Sequence, residues 1–311
     1  LRLGVLLWPQ RTSWRSFRDA ALAAEGAGAE TLWTWDHLMA IVGPWEQPIL
    51  EGWSLLAGLA EATDRIRLGL LVAANTFRNP GLTAKLATTL DDMSDGRAIL
   101  GLGGAWFDRE HDAFGLDFGR SAGDRLDRLD EATMLIRRLL DGERVTHHGR
   151  YYEVRDAVCA PLPVQARLPI MIGGSGPQKT LRTTARYADQ WNLFGSLEEA
   201  VEKNRLLDER CAEVGREPAA IERTIAKSVV IRDDAAAARV AFEDVLREHG
   251  LEDPSESVGL TGPPAAIAAE MKPYLDAGFD QLIVSLREPF DRETIERLPE
   301  LRAALAADRV G

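Results

Sequence analysis

The sequence predicts a (β/α)8 TIM barrel with an inserted hairpin segment, and three observations point there. Short apolar runs of strand length alternate with longer segments of helical spacing along the whole chain. Eight strand candidates can be counted, and their alternation with helices fits a closed parallel barrel better than an open doubly wound sheet. The 311 residues also suit one barrel of about 250 residues with insertions. Residues 1–311 therefore read as a single domain, with the insertion at roughly 141–168.

Leu3 to Leu7 is the first strand, ending at Trp8-Pro9, and Trp14 to Gly26 follows with helical spacing at Phe17, Ala20, Ala21 and Ala24. Thr31 to Trp35 is the second strand, cut off by Asp36-His37, and a loop rich in Gly, Pro and Trp leads to a helix over Gly52 to Ala62. Arg67 to Ala73 is the third strand. A polar tip, Asn75 to Asn79, joins it to a helix from Pro80 to Met93 that sets Leu82, Leu86, Leu90 and Met93 on one face. Pro80 sits near the first turn, where a missing N–H is no loss.

Ala98 to Leu102 is the fourth strand, running into Gly103-Gly104-Ala105-Trp106, and after a loop comes a long helix, Ala122 to Leu140, with Leu126, Leu129, Ile136 and Leu140 as its inner stripe. Glu143 to Gln165 breaks the rhythm, and Val145 to Val154 within it reads as a hairpin. Strand, turn and helix resume with Pro169 to Ile172, Gly173 to Gly176, and Pro177 to Tyr187. Gln190 to Phe194 and Ile225 to Ile231 are the sixth and seventh strands. A helix over Pro264 to Ala277, the strand Gln281 to Leu286 and a helix from Arg292 to Ala306 complete the order.

Composition narrows the function. With 37 basic and 49 acidic residues the formal net charge is −12, which argues against non-specific binding to nucleic acid or anionic lipid. The longest apolar runs fall short of the roughly 18 residues a membrane span needs. Cys159 and Cys211 lie far apart and in no metal-ligand spacing, so they read as buried free thiols suited to a reducing compartment. No basic segment followed by an apolar one opens the sequence, and the expected location is the cytoplasm.

In a barrel, residues at the C-terminal strand ends converge on one pocket. Here they are Trp8, Asp36, His37, Asn75, Gly103 to Trp106, Gly173 to Gly176, and Asn192. Such a set can hold a flat aromatic cofactor bearing a phosphate. His37 can exchange a proton near neutral pH or hydrogen-bond a cofactor ring; the alternative is a structural histidine beside a turn aspartate. Gly173-Gly174-Ser175-Gly176 before a helix offers free N–H groups to an anion, or is simply a tight turn needing positive φ. Gly101-Leu102-Gly103-Gly104 lacks the third glycine of a dinucleotide fingerprint and instead leaves room for something bulky against the backbone. Of Arg109, Glu110 and His111, adjacent and so pointing in different directions, at most one or two reach the pocket. The His147-His148 pair has no third ligand at suitable spacing, and no metal site is expected.

Taken in order, several segments resemble the luciferase-like monooxygenase superfamily, and within it the F420-dependent (deazaflavin) oxidoreductases. They are Ala24 to Gly28, Trp33-Thr34-Trp35-Asp36-His37, Thr63 to Gly69, Asn75 through Pro80 with Lys85, and Ser94-Asp95-Gly96-Arg97. Gly101 to Trp106, Gly149-Arg150-Tyr151-Tyr152, Pro169 to Gly176 and Ala188 to Asn192 continue the match over most of the chain.

The resemblance implies coenzyme F420, or alternatively FMN, at the C-terminal mouth, with a non-proline cis peptide near Leu71-Val72 backing the ring. His37 and Asp36 match the family's cofactor-proximal positions, and with Trp106 from the strand-end set they make the candidate catalytic residues. The resemblance and the strand-end residues together give as candidate cofactor contacts Trp8, His37, Leu71, Val72, Asn75, Gly103, Gly104, Arg109, Gly174, Ser175 and Gly176. The deazaflavin exchanges a hydride at C5, and the protein shields one ring face, orients the substrate and moves a proton through His37. One departure stands out: Trp106 occupies the place where sugar-phosphate dehydrogenases of the superfamily have an acidic residue. The expected proton donor is then missing and the substrate is flatter and more apolar, unless Glu110 or His111 turns inward.

The reading is thus an F420-dependent oxidoreductase acting on a small, largely apolar carbonyl, alcohol or enone. The alternatives are an FMN-dependent two-component monooxygenase fed by a partner reductase, and a non-catalytic flavin-binding barrel. Family members pair through helices beside the second and third strands, so a homodimer is expected. Leu55, Leu56 and Leu59 serve either that contact or the core.

Overall fold

The computed structural model describes residues 2–307. Its strands are β1 (Arg2–Leu7), β2 (Thr31–Thr34), β3 (Arg67–Leu70), β4 (Ala73–Ala74), β5 (Ala98–Gly103), β6 (Val145–His148), β7 (Glu153–Ala157), β8 (Ile170–Gly173), β9 (Gln190–Leu193), β10 (Glu222–Ile231), β11 (Leu260–Gly262) and β12 (Gln281–Leu286). The helices are α1 (Trp14–Gly26), α2 (Gly52–Ala62), α3 (Pro80–Met93), α4 (Asp108–Phe114), α5 (Ala122–Leu140), α6 (Thr180–Tyr187), α7 (Leu197–Glu213), α8 (Ala235–Glu248), α9 (Pro264–Asp276), α10 (Arg292–Glu296) and α11 (Leu298–Ala307). Eight parallel strands close in the order β1-β2-β3-β5-β8-β9-β10-β12, with β12 returning to β1 in the register Leu7 opposite Leu286. This is the predicted (β/α)8 barrel, and β6 and β7 form the inserted antiparallel hairpin.

Alternation along the strands divides the apolar residues into two cores. Leu6, Trp33, Ile99, Met171, Ala226 and Ile283 fill the barrel interior. Neighbouring residues such as Leu7, Leu32, Leu100 and Ile172 face outward and pack under the helices. Leu55, Leu56 and Leu59 belong to that outer core and are buried within the chain, so they do not form a surface for a second copy. Cys159 and Cys211 are free and buried. Among the described residues no helix is long and apolar enough to cross a membrane.

Four local features differ from the expectation. The third strand is not continuous: β3 stops at Leu70, the Leu71–Val72 peptide is cis, and β4 resumes the pairing with Ala73 opposite Leu102. On α3, Leu82 and Met93 are exposed, and the inward face is instead Thr83, Ala84, Ala87, Leu90 and Asp91. A polar anchor turns that helix. Asp91 accepts the backbone N–H and the side-chain amide of Gln165, so its face must point inward. The segment after β5 contains the short helix α4 rather than a loop, and the closing helix is divided at Arg297.

Glu25, in the last turn of α1, ties that helix to the entry of β3. Its Oε1 accepts the N–H groups of Asp64, Arg65 and Ile66 at 3.0, 2.7 and 2.9 Å. Burial pushes the carboxyl up, but the Ile66, Arg65 and Asp64 amides together outweigh it and hold the pKa below its ordinary 4.5. A carboxylate stabilised in this way adds stability above the ordinary pKa and loses it as pH falls through the lowered one. Glu25→Gln is therefore expected to lower stability by about 1.5–3 kcal/mol at neutral pH. Urea unfolding at neutral pH and again below about pH 4 should show the gap between variant and parent narrowing in acid; a gap of constant size would contradict the account.

Candidate active site

The C-terminal strand ends enclose a cavity of about 540 Å³. Its walls are largely apolar, from Trp8, Trp35, Ile41, Leu71, Leu126 and Phe194, with His37, Glu110, Thr180 and Asn192 as polar points. Trp8, Asp36, His37, Leu71, Val72, Gly103, Gly104, Trp106 and Gly174, all expected at the site from the sequence, line it. Asn75, Arg109, Ser175 and Gly176 do not.

Val72 shows what the glycines are for. A Cβ on Gly103 would stand 2.5 Å from Val72 Cγ2, and one on Gly173 would stand 2.9 Å from Val72 Cγ1. A Cβ on Gly101 would meet the Leu70 carbonyl oxygen at 2.0 Å. The bulky group lying against these glycine backbones is thus the chain's own Val72, which forms one wall of the cavity. Gly174 has a different reason: its φ of +111° suits glycine, and the turn is held by Trp191 Nε1 donating to its carbonyl at 2.8 Å.

Asp36 is placed by structure rather than offered to chemistry. Arg78 Nη1 donates to its Oδ2 at 2.6 Å and Nη2 to its Oδ1 at 2.9 Å, while the Ala74 N–H donates to Oδ2 at 2.8 Å. Burial pushes this carboxyl up, and the Arg78 guanidinium and Ala74 amide pull it back. Both oxygens are thus engaged within the chain, and what Asp36 visibly does is hold the tips of neighbouring units together. Arg78 also reaches Glu51 at 3.2 Å, and Glu51 accepts the Trp53 and Ser54 N–H groups that begin α2.

His37 meets Glu110. Its Nδ1 lies 2.9 Å from Glu110 Oε1, and the other carboxylate oxygen accepts the Leu38 N–H at 2.9 Å. The carboxylate only accepts, so Nδ1 carries the hydrogen and Nε2 is the nitrogen left for the cavity. Glu110 is 1% exposed and comes from α4. An acid thus does reach the pocket, four positions beyond Trp106: of the two residues named as able to turn inward, Glu110 lines the cavity and His111 does not. Trp106 is a rim residue, 62% exposed, edge-on to His37 and stacked on Phe107.

The two neighbours of Glu110 go elsewhere, as adjacent helical residues must. Arg109 is exposed with its guanidinium 4.6 Å over the Trp45 ring, outside the cavity. His111 Nδ1 donates to the Phe107 carbonyl at 2.7 Å and its Nε2 accepts from Thr76 Oγ1 at 2.6 Å, fixing the tip after β4. Asn75 secures that tip, donating its N–H to the Gly103 carbonyl at 3.0 Å and its side-chain amide to Tyr152 of the inserted segment. Gly176 packs against Thr180, beside the cavity rather than in its wall.

Asn192 contributes an acceptor. Its Nδ2 donates to Thr224 Oγ1 at 2.9 Å and lies near the Thr224 carbonyl, so the amide orientation is fixed. Its Oδ1 is buried without a partner among the described residues, in the cavity wall.

A closed barrel that gathers an imidazole–carboxylate pair and an apolar, cofactor-sized cavity at its strand ends has the construction of a barrel enzyme. The chain belongs to the luciferase-like monooxygenase family, whose model matches residues 2–306. It is 29% identical to the F420-dependent glucose-6-phosphate dehydrogenase of Kineococcus radiotolerans, over 91% of this chain and 90% of that one. It is also 29% identical to the phthiodiolone/phenolphthiodiolone dimycocerosates ketoreductase of Mycobacterium kansasii, over 76% of this chain and 68% of that one. Among solved structures, an F420-dependent secondary alcohol dehydrogenase in complex with an F420-acetone adduct shares the fold. Its TM-score is 0.85 at 18% identity, with 98% of each chain covered.

Removing one partner of the Asp36–Arg78 pair leaves a buried charge unmatched. Arg78→Met is expected to destabilise the protein by about 3–5 kcal/mol, and the pair Asp36→Leu with Arg78→Met by less than Arg78→Met alone. Denaturant unfolding of the three proteins decides; a double variant at least as unstable as the single one would overturn this view of the pair.

Proposed function

We propose that the protein is an F420-dependent oxidoreductase acting on a small, largely apolar alcohol, carbonyl or enone. The observation that carries this is the His37–Glu110 pair set in an apolar cavity at the barrel mouth. Relatives named as F420-dependent support the choice of cofactor. The residues present fit that group. Leu71, Val72 and Ala73 form an apolar wall for a flat ring, and Asn192 Oδ1 is an unmatched acceptor for a ring N–H. The N–H groups of Ser175 and Gly176 donate to no backbone carbonyl among the described residues, and they suit the cofactor's phosphate. When bound, F420 supplies a ring carbon that accepts or gives a hydride.

The chain's own part is proton handling and orientation. His37 Nε2 takes the hydroxyl proton as an alcohol becomes a carbonyl, and returns it in the reverse direction. Glu110 holds the imidazole in the required tautomer and stabilises it when charged, because its second oxygen is fixed by the Leu38 N–H. The rim aromatics Trp106 and Phe194 and the walls Ile41 and Leu126 favour apolar substrate surface.

Separate titrations with F420 and FMN test the cofactor: F420 binding is expected, whereas tight FMN binding with substrate-dependent oxygen uptake would establish the two-component monooxygenase instead. With F420 and a panel of secondary alcohols and enones, His37→Ala should lower kcat about 10²–10⁴-fold while F420 affinity stays nearly unchanged. Glu110→Gln should lower kcat and shift the pH profile of the reaction. Unaltered turnover in both variants would remove the pair from the mechanism.

A further inference from the structure

Arg287 follows β12 at the mouth, one residue beyond the strand. Side chains alternate along a strand, so Ile283, Ser285 and Arg287 form one row. That row faces the interior, because Ile283 packs in the inner core and Ser285 Oγ accepts Trp8 Nε1 at 2.8 Å. Leu7 pairs with Leu286 and the Trp8 N–H donates to the Leu286 carbonyl at 3.0 Å, which brings Trp8 and Arg287 side by side. The guanidinium carbon lies 3.9 Å from the Trp8 ring centroid, a cation–π stack; Trp8 lines the main cavity, while Arg287 itself stands behind that ring and borders a separate hollow of about 30 Å³ with Ser285, Phe242 and Asp291.

No carboxylate answers this cation among the described residues. Glu288, its sequence neighbour, accepts instead from Thr12 Oγ1 at 2.9 Å and from Ser16 Oγ. Asp291 pairs with Arg232, Asp36 with Arg78, and Glu110 with His37. Burial brings the Arg287 pKa down to about 10 with no opposing charge to raise it, and the group stays charged at neutral pH. A half-buried guanidinium keeps such a position at a desolvation cost that a bound anion would offset. An anion held at the glycine turn after β8 would not answer Arg287, because β8 stands across the barrel from β1 and β12.

We propose that Arg287, stacked on Trp8, is a specificity residue that recognises an anionic group, a carboxylate or phosphate, on the substrate. The substrate class becomes an apolar carbonyl or alcohol compound with one negatively charged end, a refinement that rests on the oxidoreductase reading above. The same chemistry can come from a second source, the anionic tail of the cofactor, and the experiment separates the two.

Phenylpropanoate and its methyl ester serve as probes, titrated without cofactor into the parent protein, Arg287→Gln and Arg287→Lys, with tryptophan fluorescence as the readout. The acid should bind the parent at least about tenfold tighter than the ester. Arg287→Gln should erase that preference and Arg287→Lys should keep part of it. F420 affinity, measured separately, should change by less than about twofold across the three proteins. Equal binding of acid and ester by the parent overturns the proposal, as does failure of the acid to bind. A preference that survives in Arg287→Gln while F420 affinity falls also overturns it and assigns the residue to the cofactor. Failure of the oxidoreductase reading shows separately, as absence of F420 binding while the acid–ester preference persists.

Discussion

The buried ion pair between Asp36 and Arg78 organises the mouth of this barrel. Asp36 stands just past the end of the second barrel strand, immediately before His37, and Arg78 lies beyond the break in the third strand, so their two hydrogen bonds join the tips of neighbouring units. The Ala74 N–H brings β4 into the same group, and Glu51 extends it to the first turn of α2. Neither charge is tolerable in that place without the other. His37 is therefore presented from a backbone that is held on both sides, and it can meet an acid arriving from a distant helix.

Shape at the same mouth is set by what is missing. The absence of a Cβ at Gly101, Gly103 and Gly173 opens a hollow across the fourth and fifth barrel strands, and the third strand fills it with Val72. The interruption between β3 and β4 is thus matched by small residues on its neighbours rather than left as a local defect. Leu71 and Val72 then present an apolar wall to the cavity, whose lining also includes the imidazole pair. Wall and pair come from three successive units, those of β2, β3 and β5, whose strands pair side by side.

Much of this was readable in the sequence, and the exceptions share a cause. The bounds of α1, α2, α3 and α5 follow from apolar periodicity and stop signals, as does the inserted hairpin. The helix α4 was not readable because the residues it buries, Glu110 and His111, are polar, so it carries no apolar stripe. The face of α3 was misplaced for the same reason, since Asp91 decides it and leucine spacing does not. The run Leu70 to Ala74 is uniformly apolar, and nothing in it distinguishes one strand from two. The partners of Asp36 and His37 lie 42 and 73 residues away, and sequence spacing carries no trace of such pairings. The expectation that His37, Trp8 and Asn192 meet at one cavity comes from strand-end logic and that of Val72 from the family resemblance, and all four line it.

The placement of unmatched groups explains how a mostly apolar cavity can still discriminate. Asp36 and Glu110, the cavity's two lining carboxylates, are neutralised or hydrogen-bonded by residues of the chain itself. What remains available is the second nitrogen of His37, the orphaned oxygen of Asn192, and the guanidinium of Arg287 at the edge of Trp8. In surroundings of low polarity each of these acts more strongly than it would in water. They also differ in kind: an imidazole nitrogen, an amide oxygen and a guanidinium, suited in turn to a proton, a hydrogen-bond donor and a negative charge. Apolar walls supply most of the binding in such sites and a few polar points fix orientation. A ligand that satisfies all three in one pose is held in a single orientation, and one that satisfies fewer leaves a buried polar group without a partner.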